Sequence, residues 1–213
     1  NMEQLQAIMP GFCFILPALF PVLFALGKVL VVSIISLFGT VQIAANGIAN
    51  SIDMISIVEV NAMNLAIVTV VGQCVGARDT DQAKYYIKKL LGWTYIAQGL
   101  TNLLIVLFVG QLVDFYSTLG PETRALAMKL SIMHASMAII FWPVSFVLPN
   151  SLRAANDVKF TMWVGIFSML ACRIIGSWVL CVHFGLGATG VWIAMITDWV
   201  CRTSFFVPRY LGG

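Results

Sequence analysis

Apolar residues occur in six long stretches along the chain, and short polar or glycine- and proline-containing segments separate them. A membrane-spanning helix needs about 20 mostly apolar residues, and each stretch is at least that long. Because lone strands cannot satisfy their backbone hydrogen bonds in lipid, the pattern predicts helices. The predicted helices cover about residues 7–38, 42–75, 80–114, 122–150, 158–183 and 188–207.

Residues at the predicted helix ends support this division. Asp79 or Thr80 can cap the third helix through a side-chain oxygen. Pro121 suits the first position of the fourth helix, where the missing N–H needs no partner. The turn between the fifth and sixth helices contains three glycines, Gly185, Gly187 and Gly190. Three prolines predict a kink in the first helix: Pro10, Pro17 and Pro21.

The composition is typical of a protein that lies in lipid. Of the 213 residues, 60% are hydrophobic and only 10% are charged, and the mean hydropathy is +0.94. A soluble domain has about 25% charged residues. We therefore predict an all-α multi-pass protein of the plasma (cell) membrane, with residues 1–213 as a single six-helix transmembrane lobe. The net charge of +3 gives no reason to expect a nucleic acid partner.

Basic residues are distributed unequally between the two predicted membrane faces. If the spans alternate, eight of them fall on one face: Arg78, Lys84, Lys88, Lys89, Arg153, Lys159, Arg202 and Arg209. The opposite face has only Arg124 and Lys129. Since loops rich in lysine and arginine stay in the cytoplasm, both termini are predicted to be cytoplasmic.

Ionisable side chains also occur deep inside the predicted spans, where they usually face the protein interior or water. At a rise of 1.5 Å per residue, five of them lie about 13–17 Å from a helix end and so form one layer near mid-membrane. These residues are Lys28, Asp53, His134, Arg173 and Asp198. Arg173 and Asp198 lie at matched depth on consecutive helices, which predicts a buried charge pair. That pair can hold the helices together or take part directly in transport.

The second predicted helix carries a polar stripe within about 80° of arc. Its members are Asn46, Asn50, Asp53, Asn61 and Asn64. The stripe can form hydrogen bonds between helices or line a water-filled cavity. We predict that these residues and His134 form a substrate or ion cavity, in which Asp53 binds a cationic substrate or a coupling ion. Glu59 is a further charge within this helix, and it points to the opposite face, toward a neighbouring helix.

Motifs of enzymes are missing from the sequence. It contains no P-loop pattern GxxxxGK[ST], no HExxH, no GxSxG and no CxxC. We therefore expect no enzyme activity, no metal site and no cofactor other than a coupling ion.

Four segments together resemble the multidrug and toxic compound extrusion (MATE) family over about residues 17–213. They are GT at 39–40 with AANGIAN at 44–50, VGQCVGA at 71–77 with DQA at 81–83, PNSLRAA at 149–155, and GLGATGVW at 185–192 with DW at 198–199. Family members have twelve helices in two six-helix lobes, and this chain resembles the C-terminal lobe. The resemblance implies export of small cationic or amphipathic xenobiotics in exchange for Na⁺ or H⁺, by alternating access with an N-terminal six-helix lobe.

The chain departs from the family pattern at several positions. Pro21 and Glu59 stand where related sequences often have Glu and Pro, and Asn156 stands where Gly is usual. The fourth helix lacks the membrane carboxylate that some relatives use, so Na⁺ and H⁺ both remain open as coupling ions. Two other functions also remain open: a flippase for lipid-linked oligosaccharides, and a membrane assembly subunit that does not transport.

Overall fold

The described residues, 25–116 and 120–212 of a computed structural model, form long helices joined by short turns. In chain order they are α1 (Ala25–Ser36), α2 (Thr40–Gly76), α3 (Thr80–Asp114), α4 (Pro121–Ala154), α5 (Val158–His183) and α6 (Gly187–Gly212). Helices α2 to α5 are each long and apolar enough to cross a membrane. The all-α membrane fold predicted from the sequence is therefore confirmed.

The observed helices begin and end close to the sequence boundaries, and α3 covers the predicted range 80–114. The extension of the first helix toward residue 7, with Pro10, Pro17 and Pro21, lies outside the described residues. The assignment of residues 1–213 to one lobe stays a prediction.

Turn residues explain how successive helices reverse direction. The Asp79 carboxylate accepts a hydrogen bond from the backbone N–H of Gln82 at 2.9 Å and so caps α3. Gly185, between α5 and α6, and Gly187, the first residue of α6, have φ of 65° and 55°, which glycine adopts without steric cost. Asn156, between α4 and α5, has φ of 68°. Asparagine tolerates this region better than most residues, so the chain can turn here without a glycine.

Two apolar cores hold the helices together. The larger core contains Trp142 of α4 and Trp192, Trp199 and Phe206 of α6. The smaller core lies where α2, α3 and α4 meet. Large apolar side chains also cover the outer surface of α3, where Leu107 is 65% exposed. In a membrane these outer side chains face lipid, which accounts for the high hydropathy of the chain.

Wider π-helical turns interrupt α4 and α5. One covers Pro143–Val147 in α4, where the Leu148 N–H bonds to the carbonyl of Pro143. Another covers Met169–Ile175 in α5 and contains Arg173. Such turns often occur at functional sites because they redirect side chains. Here they turn Ser145 and Arg173 toward α6, as the contacts of these two residues show.

Arg202, which the sequence placed among the basic residues of one membrane face, is buried inside the bundle. Its side chain is only 6% exposed, and it pairs with Asp198 one turn earlier in α6. The sequence suggested a flanking position because α6 was predicted to end at residue 207, whereas it continues to Gly212. At 1.5 Å per residue, Arg202 thus lies about 15 Å from the helix end.

Candidate functional site

Asp53 of α2 and His134 of α4 meet inside the helix bundle. Their Oδ1 and Nδ1 atoms are 3.0 Å apart, and their side chains are 12% and 4% exposed. The distance suits an ion pair, although Oδ1 has no aligned hydrogen-bond donor among the described residues. The structure thus brings together the carboxylate and the imidazole that the sequence placed in one layer.

Three indole rings surround His134. The centroids of Trp199, Trp192 and Trp142 lie 5.0, 5.4 and 6.0 Å from the imidazole centroid, all in edge-to-face geometry. Trp192 also donates a hydrogen bond from Nε1 to Oδ1 of Asn46 at 2.9 Å. These contacts fix the position of His134 and connect α2 and α4 to α6.

The space beside the Asp53 and His134 contact is closed. Ile52, Asn102 and Ser131 line a gap there that does not admit a water molecule. The exposed fraction of Asp53 lies outside this gap, at the surface of the described chain. A water-filled cavity around Asp53 therefore stays a prediction.

The polar stripe of α2 divides into a buried part and an exposed part. Asn46 is 7% exposed and Asn64 is partly buried, whereas Asn50 and Asn61 lie on the surface. Asn50 donates a hydrogen bond only to the Asn46 carbonyl of its own helix at 2.8 Å. The boundary between the buried and the exposed surface of α2 thus runs along the stripe, and Asp53 lies at this boundary.

Asp198 forms the centre of a second buried cluster. Its Oδ1 accepts a hydrogen bond from Arg202 Nε at 3.1 Å, and its Oδ2 lies 4.0 Å from Nη1 of Arg173. The Asp198 side chain has no exposed area. The predicted partner Arg173 is therefore within ion-pair distance, but the closer partner is Arg202. The i, i+4 spacing of Asp198 and Arg202 could have revealed this contact from the sequence.

Lys28 of α1 links the two clusters electrostatically. It is close enough to Asp53 to be attracted and close enough to Arg173 to be repelled. Arg173 in turn interacts with Asp53 as well as with Asp198. The five ionisable residues predicted to share one layer thus influence one another through the low-dielectric interior.

Glu59 lies away from this layer, against α3. Its Oε2 accepts a hydrogen bond from Thr101 Oγ1 at 2.5 Å. One turn along α2, Ser56 donates to Oδ1 of Asn102 at 3.1 Å. Gln98 and Asn102 of α3 are buried amides that were not predicted, although their i, i+4 spacing within an apolar helix is a signal visible in the sequence.

Comparison with known proteins shows the family. The family model MatE matches residues 17–179. The uncharacterized transporter YisQ of Bacillus subtilis is 27% identical over 179 residues, which cover 82% of this chain and 38% of YisQ. A protein of Thermotoga maritima named "Probable multidrug resistance protein NorM" is 23% identical over 192 residues, which cover 89% of this chain and 40% of that protein.

Solved structures show the same fold. A transporter of the MOP superfamily from Pyrococcus furiosus superimposes with a TM-score of 0.82 at 18% identity, over 91% of this chain and 42% of that one. This chain therefore spans about two fifths of the length of the proteins that it matches. The match to the family model covers most of the chain, and so the chain belongs to the MATE family of membrane transporters.

Proposed function

We propose that this chain is the C-terminal lobe of a secondary antiporter that exports organic cations and other xenobiotics in exchange for Na⁺ or H⁺. The contact between Asp53 and His134 is the observation that carries the proposal. A carboxylate 3.0 Å from an imidazole, inside a membrane-spanning bundle, can hold a cation or a proton. The family membership and the name of the Thermotoga relative support the multidrug substrate class.

The charges near Asp53 suggest how exchange occurs. Lys28 and Arg173 attract the Asp53 carboxylate electrostatically, so a cation that binds Asp53 competes with protein cations. A coupling ion and a cationic substrate compete for the same negative charge in the same way. Binding of either one excludes the other, which is the requirement for antiport.

The partner in this proposal is an N-terminal six-helix lobe. Asn50 and Asn61 are exposed on the same arc of α2 as Asp53. We propose that the partner lobe faces this surface, so that substrate binds between the lobes and rocking of the lobes alternates access. Of the eight basic residues predicted at one membrane face, seven remain when the buried Arg202 is left out. This excess of positive charge favours cytoplasmic termini.

The test is transport by the complete two-lobed protein reconstituted in vesicles. A fluorescent organic cation is loaded on one side, and its movement is recorded while a Na⁺ gradient or a pH gradient is imposed separately. We expect uphill movement driven by one of the two gradients, and we expect an ionophore that collapses that gradient to stop it. Transport that continues with both gradients collapsed would contradict the proposal.

A further inference from the structure

A second polar space lies between α2, α4, α5 and α6, separate from the gap beside Asp53. It is a cavity of about 180 Å³. Its polar lining comes from six residues: Asn64, Ser145, Asn150, Arg153, Thr161 and Arg202. No carboxylate lines it within the described parts of the chain, so its walls are neutral or positive.

The two arginines of this cavity differ in how well they are paired. Arg153 donates from Nε to Thr161 Oγ1 at 3.2 Å and from Nη1 to Asn150 Oδ1 at 3.3 Å. Arg202 is 5% exposed, and its Nη2 is buried without a hydrogen-bond partner in the described chain. A buried N–H group of a charged side chain is costly without an acceptor, so a ligand with acceptor oxygens would be favoured.

The cavity brings two positive side chains close together. Asp198, which pairs with Arg202 and lies 4.0 Å from Arg173, is not part of the cavity lining. Arg153 and Arg202 also repel each other electrostatically. An anion in the cavity would relieve this repulsion and supply the missing acceptor.

The volume of the cavity is large enough for a phosphate group. A water molecule occupies about 30 Å³ in the liquid, so there is room for one phosphate and several waters. Planar guanidinium groups match the geometry of phosphate oxygens. We propose that this cavity binds a phosphate group, either as free inorganic phosphate or as the headgroup of an anionic phospholipid. Arg153 places one end of the cavity next to the α4–α5 turn.

This proposal concerns binding only and does not depend on the transport activity proposed above. The first measurement is thermal unfolding of the complete transporter in detergent, with inorganic phosphate compared with chloride at equal ionic strength. A ligand that binds only the folded state raises Tm. The second measurement uses nanodiscs of phosphatidylcholine with or without phosphatidylglycerol, in buffer free of phosphate.

Two variants test whether the cavity is the binding site. Asn64→Asp keeps the side-chain shape and adds a negative charge opposite the arginines, so it should retain the fold while it repels phosphate. Arg153→Gln removes one guanidinium. In both variants the apparent phosphate affinity should fall at least about tenfold. The matched control is Arg78→Gln, because Arg78 is an exposed basic residue in the α2–α3 turn outside the cavity.

The outcomes separate the sources of the phosphate group. A Tm increase with inorganic phosphate identifies the free ion, and an increase only with phosphatidylglycerol identifies the lipid headgroup; either supports the proposal if Asn64→Asp abolishes it. No increase with either probe, or the same increase in Asn64→Asp as in Arg78→Gln, would overturn it. If Arg153→Gln does not fold, Asn64→Asp decides the result.

Discussion

Two buried aspartates at similar depth have different surroundings in this protein. Asp198 has no exposed area and lies between Arg202 and Arg173, whose guanidinium groups keep their charge at any physiological pH. Asp53 is 12% exposed and lies 3.0 Å from the imidazole of His134. One carboxylate is thus held between two guanidinium groups, and the other lies at the edge of the packed surface beside an imidazole.

The comparison separates an architectural role from a transport role. A carboxylate that neutralises arginines inside the bundle must stay charged and in place, because its loss leaves those arginines uncompensated. A carboxylate that exchanges a substrate for an ion must instead be reachable and must change partners. We therefore expect substitutions of Asp198 to affect folding and substitutions of Asp53 to affect transport.

The largest effect is expected for Asp198→Asn. The substitution leaves the guanidinium groups of Arg202 and Arg173 buried without their counter-charge, which costs about 3–5 kcal/mol in comparable pairs. Unfolding of the purified transporter, followed by tryptophan fluorescence, measures the loss. Asp157→Asn is the control, because Asp157 pairs with the exposed Arg209 and should lose less than about 1 kcal/mol. Equal losses of unfolding free energy in the two variants would contradict an architectural role for Asp198.

The next effect is expected for Asp53→Asn, which keeps the shape of the side chain and removes its charge. Transport of the fluorescent cation should fall by about tenfold to a hundredfold, because a charge-assisted contact is lost. The unfolding transition should change much less than in Asp198→Asn. An Asp53→Asn variant that unfolds readily but transports normally when folded would contradict the transport role that we assign to Asp53.

A smaller effect is expected for His134→Gln. The rate of transport should fall roughly fivefold, as for the loss of about 1 kcal/mol of binding energy. If H⁺ is the coupling ion and His134 carries it, the pH dependence of the wild-type transport rate should be lost in the variant. A variant that keeps the wild-type pH profile would show that another group takes up the proton.

The smallest effect is expected for Glu59→Gln. Glutamine still accepts the hydrogen bond from Thr101, and Glu59 lies on the face of α2 away from Asp53. The cost should be about 0.5 kcal/mol, or roughly twofold in transport rate. The same vesicle assay measures it beside Asp53→Asn. If the Glu59→Gln variant transports less than the Asp53→Asn variant, the substrate cavity would lie on the α3 side of α2 and not beside Asp53.

Much of the candidate site could be predicted because depth in a membrane follows directly from position in a helix. Counting residues placed Asp53 and His134 in one layer, and the structure brings them to 3.0 Å. The same counting matched Arg173 with Asp198, which lie 4.0 Å apart. Counting residues placed Arg202 near a helix end, because an apolar stretch does not show how far α6 continues; only the i, i+4 spacing to Asp198 indicates the contact.

The sequence by itself determined the all-α membrane fold, since long apolar stretches in lipid have to form helices. It also determined that Asp53 shares one arc of α2 with four asparagines. Only the tertiary structure decided which part of that arc is buried. Asn46 accepts a hydrogen bond from Trp192, Asn64 lines the same cavity as Arg153 and Arg202, and Asn50 and Asn61 are exposed. The physical reason is that helical periodicity fixes directions within one helix, whereas the edge of the packed surface depends on where α4 and α6 lie.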